Sequence, residues 1–419
     1  MPETSWLTGT SPAFRLMIAT SWLAPESWQS QQELAIRQAI AAGPDWAEYI
    51  RLVDRHRTPA LSWAALKRVP ALSIPESVKL ELQKRSDACR MQAMRHSLIL
   101  AEVLKAFNLA TIPVMPLKGP ILSFDLYGDV GLRQSHDLDL ACAREDIVRA
   151  QACLEGRGWN LEPTYCHLTP RQWKSVYRHE YHLPFIHSLR GTMLELHWHN
   201  NLDLPGQTSE QWARSIPSIW QGCSYRAMHP VDQVFYLCNH GGKHGWFRAK
   251  WLGDLARIHA LGRLDWTTAL SDAQSTNQEI SLLAGLHLLE QFYGLPVPDL
   301  PDTLPKKLPA SLIHGSLRAL KAPEEPEQRS PVASFRDGLR MHRYGRLALS
   351  QRIGWETLSK YGYCRLDFHV LHLPDSFFWA YAPLRPVLWL WRRVLRRGPT
   401  AKPCKNNPSV TTAPKPGNL

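Results

Sequence analysis

The first part of the chain has a helical pattern of apolar and polar positions. This pattern runs through residues 29 to 110, and the string Ser73-Ile74-Pro75-Glu76 resembles a capping box with proline in the first turn. A long helix is therefore predicted to begin there. One of its faces carries an apolar stripe that we interpret as core, because amphipathic helices bury their apolar face. The stripe consists of Met91, Met94, Leu98, Ala101 and Leu104.

The pattern changes after residue 110. Short β-like runs alternate with helical stretches, and the clearest runs lie at 112–115, 138–142 and 193–198. Helical spacing returns after Pro230. The sequence therefore predicts an α+β protein. We expect an N-terminal helical region at 1–110, a mixed unit at 111–228, a C-terminal helical domain at 229–397 and a disordered tail at 398–419, where Pro, Lys, Asn and Thr dominate.

Charge and cysteine usage narrow the class of protein. The chain of 419 residues has a formal net charge of +12, so we expect an anionic partner, which is a nucleotide, a nucleic acid or an acidic membrane surface. Its eight cysteines contain no CxxC pair, which favours a reduced, cytoplasmic location over a disulfide framework or a zinc module. We also expect no secretory signal and no membrane-spanning helix.

Two acidic residues alternate with leucines in the second β-like run. In a strand, the side chains of Asp137 and Asp139 point to one face, and those of Leu138 and Leu140 point to the other. Two adjacent carboxylates repel each other unless a cation lies between them, and hard oxygen ligands suit Mg²⁺.

A third acidic residue lies in the last β-like run, which has the same alternation. Here Leu194, Leu196 and Trp198 are predicted to face the core, so Glu195 and His197 share the opposite face. Glu195 would complete a site of three carboxylates, whereas we interpret His197 as a packed or hydrogen-bonded histidine.

These features combine with several other short strings. They are Leu117-Lys118-Gly119, Tyr127, Arg133, Asp137-Leu138-Asp139, Glu195-Leu196-His197-Trp198, Asn239-His240, Lys243-His244, Trp251 and Asp254-Leu255-Ala256. Together they resemble the nucleotidyltransferases of the DNA-polymerase-β-like superfamily, and within it a family of largely uncharacterised bacterial nucleotidyltransferases. The resemblance implies a nucleotidyltransferase-like mixed sheet with helices, flanked by N-terminal helices and a C-terminal helical domain.

The resemblance also implies roles for individual residues. Asp137, Asp139 and Glu195 would be the catalytic, metal-binding carboxylates. Gly119 would begin a helix near the nucleotide phosphates, and Lys243 would lie near the nucleotide. Many members of the superfamily have Gly-Gly or Gly-Ser where this chain has Lys118-Gly119-Pro120. Lys118 and Arg133 would then supply positive charge to the phosphates, or pair with the acidic residues as structural charges.

The predicted reaction transfers a nucleoside monophosphate from an NTP, such as ATP, to an acceptor hydroxyl with Mg²⁺ or Mn²⁺. The acceptor is left open among a small molecule, a peptide or polysaccharide precursor and, with less support, RNA. The alternative is a non-catalytic nucleotide-binding or membrane-surface interaction protein on the same fold. Residues 377–397 combine aromatic residues with arginines, so they fit either peripheral contact at the inner membrane face or a terminal helix packed on the body.

Overall fold

The computed structural model of the protein describes residues 7, 9–198, 207–276, 278–305, 308, 310–322 and 364–394. Contacts within the chain divide it into two units. The first unit holds the described residues within Met1–Leu98, Lys118–Ser135 and Met228–Leu347, and the second holds those within Ile99–Leu117, His136–Ala227 and Ala348–Leu419. The predicted tail at 398–419 lies outside the described residues. The division of the chain at residues 110, 228 and 397 stays a prediction.

The described part of the first unit is helical. Its helices are α1 (Pro12–Thr20), α2 (Glu26–Ala41), α3 (Trp46–His56), α4 (Pro59–Lys67), the first part of α5 (Glu76–Leu109), α6 (Pro120–Tyr127), α10 (Pro230–Lys243), α11 (Ala249–Ala260), α12 (Trp266–Ser275), α13 (Glu279–Tyr293) and α14 (Ala310–Lys321). Helix α1 is buried on nearly all sides, and Leu16 and Met17 are 0% exposed. A helix that is apolar all round belongs in a core, so α1 forms the centre of this unit.

A mixed sheet organises the second unit. Its strands are β1 (Met115–Pro116), β2 (Asp137–Ala141), β3 (Trp159–Leu161), β4 (His182–His187) and β5 (Met193–His197), in the order β1-β2-β5-β4-β3. Strands β2 and β5 are parallel, and the other neighbours are antiparallel. The prediction of an α+β protein with a mixed sheet is confirmed.

The remaining elements of the second unit complete it around the sheet. A hairpin joins β6 (Ile216–Trp220) to β7 (Cys223–Ala227). The helices are the last turns of α5 together with α7 (Ile147–Glu155), α8 (Pro170–His179), α9 (Gln207–Arg214), α15 (Arg365–Val370) and α16 (Tyr381–Val394). In the described ranges, every helix is too short or too polar to cross a bilayer.

The long helix α5 begins at Glu76, where the sequence predicts its start, but it buries a different face. Met91, Met94 and Leu98 are 73%, 61% and 61% exposed. The buried side also includes polar residues, with Ser86 and His96 each 3% exposed. The core interpretation is therefore wrong for these three residues. Apolar side chains occur on two faces of α5, and packing against its neighbours decides which face is buried.

Candidate active site

Strands β2 and β5 bring the predicted acidic residues of the second unit together. Parallel pairing places Asp139 opposite Glu195, and Asp137 opposite Met193. The leucines between them are buried as predicted, since Leu138 is 2% exposed and Leu194 is 0% exposed. Alternation along both strands therefore directs Asp137, Asp139 and Glu195 to one face of the sheet.

Asp139, Glu195 and His197 form a cluster that could hold a metal ion. Each offers a ligand atom, and these atoms all lie within 4.8 Å of one another. His197 Nε2 lies 3.4 Å from Asp139 Oδ1 and 3.3 Å from Glu195 Oε2. Asp139 is almost inaccessible, whereas 26% of the Glu195 side chain is exposed. The cluster therefore opens to solvent on the side of Glu195.

Strand β4 adds a second histidine to this cluster. Antiparallel pairing places His182 opposite His197, and the two rings stack with their centroids 5.1 Å apart. His182 Nε2 lies 3.9 Å from Glu195 Oε1. The acidic residues on β2 and β5 therefore have two imidazoles beside them.

The charges in this cluster stabilise one another. Burial raises the pKa of Glu195 and the charge of Asp137 adds to this, but the hydrogen bond from His197 and the positive charges of His182 and His197 outweigh both effects and lower the pKa to about 2. Burial lowers the pKa of His197, but hydrogen bonds to Asp139 and Glu195 outweigh burial and raise it. Glu195 is therefore held as a carboxylate, and His197 favours its protonated form.

The predicted phosphate-binding residues lie in the first unit. Gly119 precedes α6 with a φ of 77°, and Pro120 occupies the first turn. A left-handed φ favours glycine at this position. The N–H groups at the start of a helix suit phosphate, so Gly119 is placed as the sequence predicts, at a helix N-terminus.

Positive side chains surround His240 in the same unit. Burial lowers the pKa of His240, and the charges of Lys118, His244, Lys243 and Lys250 lower it further. The charges of Lys118 and Lys243 therefore both act on the same buried histidine. Lys250 is 6% exposed, and its Nζ donates a hydrogen bond to the carbonyl oxygen of Gln134.

Arg133 has a different environment from the one expected of a phosphate ligand. Its Nε donates to Asp254 Oδ2 at 2.8 Å, and the two side chains are 1% and 0% exposed. Its backbone N–H donates to Ser123 Oγ. Arg133 is thus a buried charge that forms an ion pair with Asp254, and the choice between its two predicted roles stays a prediction.

The residue pattern of the chain does not identify His182 or Lys250 as site residues. His182 enters the site through the antiparallel pairing of β4 with β5, a long-range contact that spacing along the chain does not reveal. Lys250 lies at the start of α11, where a lysine is ordinarily a solvated surface charge. His197 is buried, and its Nε2 lies beside the oxygens of both Asp139 and Glu195.

A mixed sheet with carboxylates on neighbouring parallel strands fits a nucleotidyltransferase. A family model described as uncharacterised nucleotidyltransferase matches residues 42–294. This match covers more than half of the chain and includes every candidate site residue, so the protein belongs to this family, and the predicted family relationship is confirmed. No curated protein and no solved structure matches the chain.

Proposed function

We propose that the protein transfers a nucleoside monophosphate from an NTP to an acceptor hydroxyl and releases pyrophosphate. The observation that carries this proposal is the register of β2 and β5, which sets Asp139 beside Glu195 with ligand atoms of both residues and of His197 within 4.8 Å of one another. Carboxylates this close, one of them buried, require positive charge beside them. His197 supplies part of that charge, and a divalent cation would supply the rest.

The donor set fits a divalent cation such as Mg²⁺ or Mn²⁺. Asp139 and Glu195 would hold the ion, and Asp137 lies on the same face at the start of β2. When bound, such an ion neutralises phosphate charge and favours deprotonation of the attacking hydroxyl. The imidazole of His197 lies where it keeps the two carboxylates in place, because it bridges their oxygens.

In the proposed reaction, a bond forms between the acceptor oxygen and the α-phosphorus of the NTP. The bond from the α-phosphorus to the bridging oxygen breaks, pyrophosphate leaves with that oxygen, and the proton of the hydroxyl passes to solvent water. A carboxylate with a pKa of about 2 is a poor proton acceptor at neutral pH. We therefore assign Glu195 to binding the ion and orienting the acceptor, and not to general-base catalysis.

Three of the predicted nucleotide-binding residues retain their predicted roles in the proposed reaction. Gly119 provides the helix N-terminus, and Lys118 and Lys243 provide positive charge for the triphosphate. We assign a positioning role to Arg133, because its guanidinium forms an ion pair with Asp254. It would fix the loop that follows α6 and would not touch the nucleotide.

The acceptor is proposed as one of the predicted classes, namely a small molecule, a peptide or polysaccharide precursor, or an RNA end. We place the enzyme in the cytoplasm, with peripheral contact at the inner face of the membrane. A non-catalytic nucleotide-binding protein on the same fold would bind NTP but release no pyrophosphate. A measurement of pyrophosphate release therefore distinguishes it from the proposed enzyme.

We predict that Asp139→Asn abolishes transfer, with a loss of at least about 100-fold, because the variant loses a ligand to the ion that stabilises the transition-state charge. Asp137→Asn should also abolish transfer. The assay incubates the protein with each α-labelled NTP and Mg²⁺ or Mn²⁺ in a cell lysate. It measures labelled product in the small-molecule, peptide and RNA fractions.

The matched control is Glu145→Gln, which neutralises an exposed acidic residue of the same unit. It should retain the activity of the unmodified chain. The melting temperature should stay similar for Asp137→Asn and fall for Asp139→Asn, because the latter removes a buried carboxylate that lies beside His197. Undiminished turnover in Asp139→Asn would disprove the assignment of the site.

A further inference from the structure

Helix α16 turns its polar side toward the protein. Arg385 Nη1 lies 2.5 Å from Asp367 Oδ2, and Arg392 Nη2 lies 2.9 Å from Asp367 Oδ1. The side chains of Arg385 and Asp367 are 6% and 2% exposed, and Leu388 packs on the same side. Both arginines are thereby paired with one buried carboxylate on α15, which offsets one of their two positive charges.

The opposite side of α16 is apolar and exposed. Val387, Leu390 and Trp391 follow helical spacing and are 62%, 54% and 47% exposed. The 3₁₀ helix before α16, Asp375–Ala380, adds Phe377 and Trp379, which are 54% and 64% exposed. We call Val387, Leu390 and Trp391 the outer face of α16, which the two exposed aromatic residues precede in the chain.

This arrangement is the reverse of an ordinary surface helix, which buries its apolar stripe and exposes its charges. Contiguous exposed aromatic and aliphatic side chains mark a surface that binds a partner. The ion pairs to Asp367 fix the orientation of α16, because rotating the helix to bury the outer face would separate both arginines from their carboxylate.

We propose that the outer face of α16 docks on an anionic lipid bilayer. Tryptophan and phenylalanine suit the boundary between headgroups and acyl chains, since an indole has an apolar body and a polar N–H group. In the sequence, Arg393, Arg396 and Arg397 follow this face directly, and the whole chain carries a net charge of +12. Basic residues beside an apolar face favour acidic headgroups.

The same charges disfavour a second copy of the chain as the occupant. A two-fold contact would bring together two copies of a chain that carries a net charge of +12. Like charges facing each other across an interface reduce affinity. The docking proposal extends the peripheral membrane contact proposed above and does not rest on the transfer reaction.

The test is flotation of the full chain with vesicles of phosphatidylcholine alone and with vesicles that also contain phosphatidylglycerol. We expect flotation with the anionic vesicles, weak or no flotation with the neutral ones, and a decrease at high salt, which screens charge. The outer-face variant, Val387→Ser with Leu390→Ser and Trp391→Ser, should bind the anionic vesicles at least about tenfold more weakly, because it loses the apolar area that enters the bilayer.

The matched control removes three exposed apolar residues elsewhere, with Met91→Ser, Met94→Ser and Leu98→Ser on α5. These positions are 61–73% exposed, and the three residues changed in the outer-face variant are 47–62% exposed, so a general effect of surface hydrophobicity would appear in both variants. We expect the control to float as the unmodified chain does. Circular dichroism should show that both variants fold.

Three results would overturn the proposal. The first is an unmodified chain that floats with neither kind of vesicle, and the second is equal flotation of the two variants. The third is a dimer in sedimentation that the outer-face variant dissociates, without flotation of the unmodified chain. Pyrophosphate release is measured without vesicles and does not depend on these outcomes. Failure of the docking proposal would therefore not contradict the proposed transfer reaction.

Discussion

At the scale of single residues, the ion pair of Arg133 and Asp254 shows how burial changes the contribution of a charged side chain to stability. Burial raises the pKa of Asp254, and the guanidinium of Arg133 offsets only part of this effect. Water reaches neither side chain, because they are 1% and 0% exposed. Removing one member of a buried pair leaves the other charge without its counter-ion. This loss destabilises the fold by more than the intact pair stabilises it.

We therefore predict that Arg133→Met lowers the free energy of unfolding by about 3–5 kcal/mol. Urea denaturation followed by tryptophan fluorescence measures the change. Arg90→Met is the matched control, because Arg90 pairs with Asp129 on the surface, with side chains 49% and 30% exposed. It should cost less than about 1 kcal/mol. Equal effects of the two substitutions would contradict a special role for burial at Arg133.

The residues of the candidate site differ in how far the sequence could predict them. Asp137, Asp139 and Glu195 lie in short alternating strings, so each strand's own pattern predicts which face its acidic residues share. The sequence also identified Arg133, but not its pairing with Asp254, which lies 121 residues further along the chain. Contacts over such distances depend on tertiary packing, which local spacing does not encode.

At the scale of elements, the two strands of the site bury the face that their alternation predicts. The long helix does not bury the apolar stripe that the sequence predicts as its core face. Each strand has one way to place its leucines inside, because the period is two and a shift of one residue would expose them all. Helix α5 has apolar residues on two faces, and its neighbours decide which one is buried. This is why β2 and β5 could be predicted and the buried face of α5 could not.

The register of β5 leads to a prediction about stability. Leu196→Ala should lower the free energy of unfolding by about 2–5 kcal/mol, because it leaves a cavity beneath the acidic cluster. Met193→Ala on the same strand should cost much less, since Met193 is 43% exposed whereas Leu196 is 0% exposed. Urea denaturation of the two variants tests this. A larger loss at Met193 would mean that the register is displaced by one residue.

At the scale of the whole molecule, the family match and the core of the first unit have different boundaries. The match covers residues 42–294, but α1 and α2 precede it and α14 follows it. Helix α1 belongs to the same core as α10, α11 and α13. Ser21 Oγ hydrogen-bonds Tyr293 Oη at 2.7 Å, and a Cβ added to Gly253 of α11 would lie 2.5 Å from the Ser21 carbonyl oxygen. The matched region therefore lacks part of its own core.

The last prediction is that a chain beginning at residue 42 does not fold its first unit. It would lose seven large buried side chains, namely Phe14, Leu16, Met17, Ile18, Trp22, Leu23 and Ile36. Each contributes about 1.5–3 kcal/mol when buried, and a sum on the order of 10 kcal/mol reaches the net stability of about 5–15 kcal/mol that is typical of a folded protein. A chain beginning at Gly9 keeps α1 with its capping residue Ser11 and is the control. Near-ultraviolet circular dichroism and thermal melting compare the two. We expect a cooperative transition in the control alone, and an equally cooperative transition in the shorter chain would show that α1 is dispensable.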